Sequence, residues 1–130
     1  MLACMATAAG TFDVRIEPVE HDQPGIGRMS IAKTWHGELA GTGVGTMLSA
    51  GDPAAGEAGY VALETFEGTL AGRLGSFALQ QLGVMHAGGQ DLHYAVVPGS
   101  GTDELTGMAG TLHLEIADGE HRYRLTYSLS

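Results

Sequence analysis

Thr11-Phe12-Asp13-Val14-Arg15-Ile16-Glu17 alternates apolar and polar residues without a break. An extended chain sends successive side chains to opposite faces, so Phe12, Val14 and Ile16 share one face and Asp13, Arg15 and Glu17 the other. That pattern belongs to a strand buried on one side and wet on the other. Outward from this stretch the same period recurs between glycine-rich breaks. Arg28 to Leu39, Thr42 to Ser49, Tyr60 to Glu67, Arg73 to Leu82, Asp91 to Val97, Thr111 to Ala117 and Arg122 to Leu129 read as seven further strands. Pro98-Gly99-Ser100-Gly101 stops the sixth strand, with Ser100 in a turn, and Asp118-Gly119 joins the last two as a hairpin. Ser76 to Gln81 has a short helical alternative, but its glycine-rich flanks favour a strand.

Eight short strands without a helical stripe predict an all-β sandwich or barrel. Glycine decides between them. There are 21 glycines in 130 residues, many inside strands, and closing a sheet demands local bending and coiling. The expected fold is an eight-stranded antiparallel β-barrel of lipocalin-like size, whose interior is filled by side chains or holds one small ligand. Glu38-Leu39-Ala40-Gly41, Thr69-Leu70-Ala71-Gly72 and Glu104-Leu105-Thr106-Gly107 echo one another and read as similar hairpin corners.

Composition bounds the function. The chain is 44% hydrophobic and 16% charged, enough to bury a core in one domain. Six basic against fifteen acidic residues give a net charge of −9, which argues against nucleic acid and against an anionic membrane surface as partner. No apolar run reaches the roughly 20 residues a membrane helix needs. The single cysteine, Cys4, excludes an internal disulfide and a thiolate metal cluster, and fits a cytoplasmic protein. Residues 1–9 read as a disordered leader ahead of a single domain over residues 10–130.

Four stretches together resemble one bacterial family. They are Lys33-Thr34-Trp35-His36-Gly37, Tyr60-Val61-Ala62-Leu63-Glu64, Gly72-Arg73-Leu74-Gly75-Ser76-Phe77-Ala78-Leu79-Gln80, and Val97-Pro98-Gly99-Ser100-Gly101-Thr102-Asp103-Glu104-Leu105-Thr106-Gly107. The chain is similar, from about Gly10 to Leu129, to a domain-of-unknown-function family whose fold resembles the allene oxide cyclase barrel. The resemblance implies an antiparallel barrel and a homo-oligomer, and no known reaction. The family pattern often carries a histidine where this chain has Gln81.

Glu64 is the leading candidate for chemistry. It shares a strand face with Tyr60, Ala62 and Phe66, and a carboxyl group in an apolar barrel would gain a raised pKa and serve as general acid or base. Alternatively it is paired, or faces a subunit interface. Lys33 lies in phase with Met29, Ile31 and Trp35, so its ammonium needs a partner such as Glu64, or a mouth to reach; a depressed pKa would instead let it form a Schiff base. Trp35, Phe77, Tyr94, Tyr123 and Tyr127 fall on inward faces and line a pocket or simply fill the core. Gln81 shares the Phe77–Leu79 face and would bind a substrate oxygen or the barrel backbone. Of the histidines, His113 shares a face with Glu115 and His93 would neighbour them, but Leu112, Leu114 and Ile116 claim the inward side and leave His113 to solvent, so no metal site is expected. No phosphate loop, dinucleotide fingerprint or nucleophile elbow occurs, and no cofactor is expected. Three functions fit: a barrel binding an apolar small molecule, extending to cofactor-free isomerase or cyclase chemistry; a non-catalytic carrier; and a structural homo-oligomer that buries faces such as Val61 and Leu63.

Overall fold

A computed structural model describes residues 5–20 and 23–130. Eight strands form one closed antiparallel barrel in sequence order, β1 (Ala6–Val19), β2 (Gly27–Gly37), β3 (Leu39–Asp52), β4 (Glu57–Leu70), β5 (Arg73–His86), β6 (Gly89–Val96), β7 (Ala109–Ala117) and β8 (Glu120–Ser128). All eight expected strands are present, most longer than the alternation alone indicates. Ser76 to Gln81 lies within β5. The first strand begins at Ala6 and pairs with β8 from Ala6↔Tyr127 onward, so Ala6 to Ala9 belong to the barrel wall and not to a leader. Cys4 and His21 lie outside the described residues. Among those residues no helix is long and apolar enough to cross a membrane.

The up-and-down order gives the barrel two unlike ends. One end gathers the β2–β3 and β4–β5 corners and the connection from β6 to β7. Leu39, Leu70 and Leu105, the leucines of the three echoed tetrapeptides, all point inward there and are 0% exposed. Two of the echoes are hairpin corners as expected; the third lies in a 3₁₀ turn, Asp103–Leu105. Trp35, Phe66, Phe77, Met108, Tyr123 and Leu125 fill the space above these leucines. Trp35 meets Phe12 at 4.8 Å and Phe66 edge-on at 6.2 Å, arrangements that add to simple area burial. The Tyr123 hydroxyl accepts from the Leu39 backbone N–H at 2.9 Å and lies 3.0 Å from the His36 carbonyl, tying β8 to the β2–β3 corner.

The connection after β6 continues the wall where that strand stops. Thr102 donates its backbone N–H to Ser76 O and accepts from Ser76 N through Oγ1. Ser100 Oγ accepts from Ala78 N at 2.9 Å and donates to Val97 O, so it is a turn residue that also pairs with β5. The opposite end stays open. Ile16, Leu92 and Ile116 lie in the inward phase of their strands there, yet remain 47%, 40% and 64% exposed. Two of its hairpins are tight: Ala87-Gly88 and Asp118-Gly119 all have positive φ, the conformation that matches hairpin twist.

The inward face of β3 carries Gly41, Gly43 and Gly45. A Cβ on Gly45 would sit 2.4 Å from Leu63 O and 2.7 Å from Glu64 Cβ, and one on Gly43 would lie 3.1 Å from Trp35 Nε1. β3 is therefore the thin side of the barrel, against which Trp35 and Glu64 fit. Because Gly45 abuts backbone that cannot move aside, Gly45→Ala is expected to cost about 1–3 kcal/mol by overpacking; urea unfolding checks this, and an unchanged midpoint contradicts the role given to the glycine row.

Candidate functional site

Among the described residues, burial on the inner wall is apolar with three exceptions. Lys33 on β2, Glu64 on β4 and Gln81 on β5 are buried polar side chains. The period-two alternation of each strand sends them inward. Register then brings them together: Glu64 lies opposite Gly45 and Leu79, Gln81 opposite Ala62 and Tyr94, and Lys33 opposite Gly43 across the missing side chain.

The cluster is bonded throughout. Lys33 Nζ donates to Glu64 Oε1 at 2.9 Å and Oε2 at 3.0 Å, and to the Tyr94 hydroxyl at 2.8 Å. Tyr94 donates onward to Glu64 Oε1 at 2.7 Å. Gln81 Nε2 donates to Glu64 Oε2 at 2.7 Å, and the Tyr60 hydroxyl donates to Gln81 Oε1 at 3.1 Å. Each Glu64 oxygen thus accepts two hydrogen bonds, the full capacity of a carboxylate. The Lys33 ammonium also lies 4.5 Å from the Phe12 ring centroid, 5.2 Å from that of Trp35 and 5.3 Å from that of Tyr94, an aromatic cage suited to a desolvated cation.

These surroundings move the titrations. Burial lowers the Lys33 amine below its ordinary value, against the opposing pull of the Glu64 charge and hydrogen bond. Burial, followed by the Glu64 charge and hydrogen bond, holds the Tyr94 phenol well above its ordinary range. Tyr60 is raised by burial and then by Glu64.

Of the residues singled out from sequence, the structure gathers Lys33, Glu64, Gln81, Tyr94 and Tyr60 into one cluster, with Trp35 packed beneath the lysine. Phe77, Tyr123 and Tyr127 pack into the apolar half, Phe77 against Phe66 at 5.0 Å, and stand apart from Glu64's hydrogen-bond network. His93 and His113 face outward and are exposed, and among the described residues no three histidine, cysteine or acidic side chains gather as a metal site. Sequence reasoning missed Phe12 as part of the lysine's cage, although its in-phase position with Val14 and Ile16 was visible. It also missed the Tyr60 ring lying over Gly83, where a Cβ would come within 2.1 Å of ring carbon Cε1.

Two outcomes test the cluster. Removing one partner leaves a buried charge uncompensated, so Lys33→Met alone is expected to lose about 3–5 kcal/mol in urea unfolding, with the Lys33→Met/Glu64→Leu double variant recovering most of it; losses that simply add contradict the pairing. A phenol whose folded pKa is raised contributes stability that is complete below its unfolded pKa, near pH ~10, and is lost as pH rises toward the folded value. The lowered Lys33 contributes with the opposite slope below its own unfolded value. Tyr94→Phe removes the larger alkaline loss, so unfolding measured from neutral pH to above pH ~10 should fall less steeply in the variant than in the parent.

The chain matches the family described as "Protein of unknown function (DUF3224)" over residues 8–127. A crystal structure of a protein of unknown function from that family, from Shewanella oneidensis MR-1, superposes with a TM-score of 0.89 at 43% identity, covering 97% of this chain and 98% of the other. No curated protein matches. With the family match spanning nearly the whole barrel, and a family structure repeating that barrel at this identity, the chain belongs to the DUF3224 family.

Proposed function

We propose that the barrel is a receptor for a small, neutral, largely apolar molecule bearing one hydroxyl or carbonyl group. The ligand enters by the open end and places its polar atom on Gln81 and Tyr60. One observation carries this reading: Gln81 and Tyr60, the members of the hydrogen-bonded cluster nearest the open end, keep hydrogen-bonding capacity in reserve. Lys33 spends its donors on Glu64 and Tyr94, and Glu64 spends all its acceptor sites. Gln81 uses one amide hydrogen on Glu64 and keeps the other, and the Tyr60 hydroxyl, which donates to Gln81, still has lone pairs. Tyr60 and Gln81 also lie nearer the open end than Glu64 along their strands.

A buried ion pair is weak as a device for stability, since apolar replacements of similar size are often neutral or better. Its presence in this lumen is better explained by what it orients. Glu64 and Lys33 are therefore positioning residues for Gln81, in place of the acid–base and Schiff-base roles that their residue types suggest. The partly buried Met29, Met47 and Met85 sit toward the open end and suit an apolar body of irregular shape. A lone cysteine in 130 residues supports a cytoplasmic setting.

Trp35 is the chain's single tryptophan and its ring lies beneath Lys33, so its fluorescence reports on the site. Titration with a medium-chain alcohol or ketone is expected to give saturable quenching, and the alkane of equal length weaker binding. Gln81→Leu should weaken the alcohol about tenfold, the cost of one buried hydrogen bond, and leave the alkane unchanged. No saturable response, or equal affinities in parent and variant, overturns the reading.

A further inference from the structure

The outer surface of the β3–β4–β5 wall is as apolar as a core. Val44, Leu48, Val61, Leu63, Leu82 and Val84 all point outward there and are exposed. They are neighbours through the strand register, with Leu48↔Val61↔Leu82 forming one continuous row. From the row of Val44 to the row of Val84, four cross-strand rows in all, no aspartate, glutamate, lysine or arginine occurs on this face. On a chain with a net charge of −9 that is a selective exclusion of charge. A groove of about 520 Å³ runs through the patch between Leu48, Val61, Leu63 and Leu82.

We infer that this face is an isologous interface with a second copy of the chain. Area is the first argument. Six exposed aliphatic side chains with their uncharged polar neighbours fill four contiguous cross-strand rows, a broad single patch of the kind that supplies the about 800 Å² each partner gives to a standard interface. Shape is the second. Val44 and Leu63, the two most exposed aliphatic side chains of the wall at 63% and 60%, project beside a recess, and a two-fold axis sets the projections of each copy against the recess of the other. Charge is the third. Two copies that each carry −9 repel through most of their surface, and this wall offers contact free of that repulsion. Two antiparallel sheets stacked face to face also satisfy ordinary sheet packing.

Sedimentation or light scattering at micromolar concentration is expected to give twice the 13.4 kDa of the chain. Leu63→Glu places two carboxylates at the centre of the interface and should return the mass to that of one chain, with the β circular dichroism spectrum retained. Val44→Lys serves the same end should Leu63→Glu fail to fold. A parent that stays at the mass of one chain across the concentration range overturns the inference and leaves the wall to a different partner or a small molecule. A doubled mass in both charged variants, or a larger closed ring, overturns it as well.

Discussion

The structure depends on keeping a buried cation and a buried anion both satisfied inside a β-barrel. An ammonium or carboxylate taken out of water costs several kcal/mol even after relaxation, and attraction between the two offsets that cost only when the remaining hydrogen-bonding sites are also filled. This barrel meets the condition from several strands at once. β2 brings the lysine, β4 the glutamate, β5 the amide and β6 a phenol, while β3 contributes the absence of side chains at Gly43 and Gly45. Three aromatic rings around Nζ supply the remaining favourable field. Remove the glycines and the glutamate has nowhere to sit; remove the glutamate and the lysine has no counter-charge.

Around this pair the barrel divides its labour. The closed half is a packed aromatic and leucine core, plugged by the three echoed leucines. The most distinctive motifs of the sequence, Gly72-Arg73-Leu74-Gly75-Ser76-Phe77 and Pro98-Gly99-Ser100-Gly101-Thr102, meet there: Ser76 pairs with Thr102, and a Cβ on Gly75 would lie 2.4 Å from Thr102 O. Their specificity is the specificity of a seal. A backbone that must approach another backbone this closely tolerates few residues, so such segments read clearly in sequence without carrying chemistry. Tyr60 and Gln81, which keep hydrogen-bonding capacity in reserve, stand nearer the other end.

That contrast explains what was legible. Eight strands could be read because alternation is a local signal and closure follows from their number and from glycine. The pairing of Lys33 with Glu64 was also within reach, since a lysine on an apolar face demands a partner. The full cluster was not, because joining Gln81 to Tyr94 and Tyr60 requires cross-strand register, which no single strand encodes. The start of β1 was hidden because Ala6-Thr7-Ala8-Ala9-Gly10 lacks the contrast of size and polarity that marks a strand; only Ala8 in it is fully buried. The third echo deceived in part, since a leucine followed by glycine suits a plug whether it follows a hairpin or a 3₁₀ turn. β4 and β5 concealed which face was inward, since Val61, Leu63 and Leu82 are as apolar as the residues across the wall.

That last ambiguity shows what the buried pair accomplishes for folding. In a strand apolar on both faces, a slip of one residue exchanges inside and outside at little hydrophobic cost, so burial alone specifies register weakly. In β4 such a slip would put Leu63 in the lumen and Glu64 on the outer wall. Lys33 would then be left buried without a counter-charge, and the Tyr60 ring would leave Gly83, the residue it now covers. An uncompensated buried charge costs about 3–5 kcal/mol, a large part of a small domain's whole stability. The wrong register is thereby excluded by electrostatics where hydrophobicity is nearly indifferent. One ion pair so holds the site inside the barrel and the aliphatic face outside it, which is why the two surfaces can share the same strands.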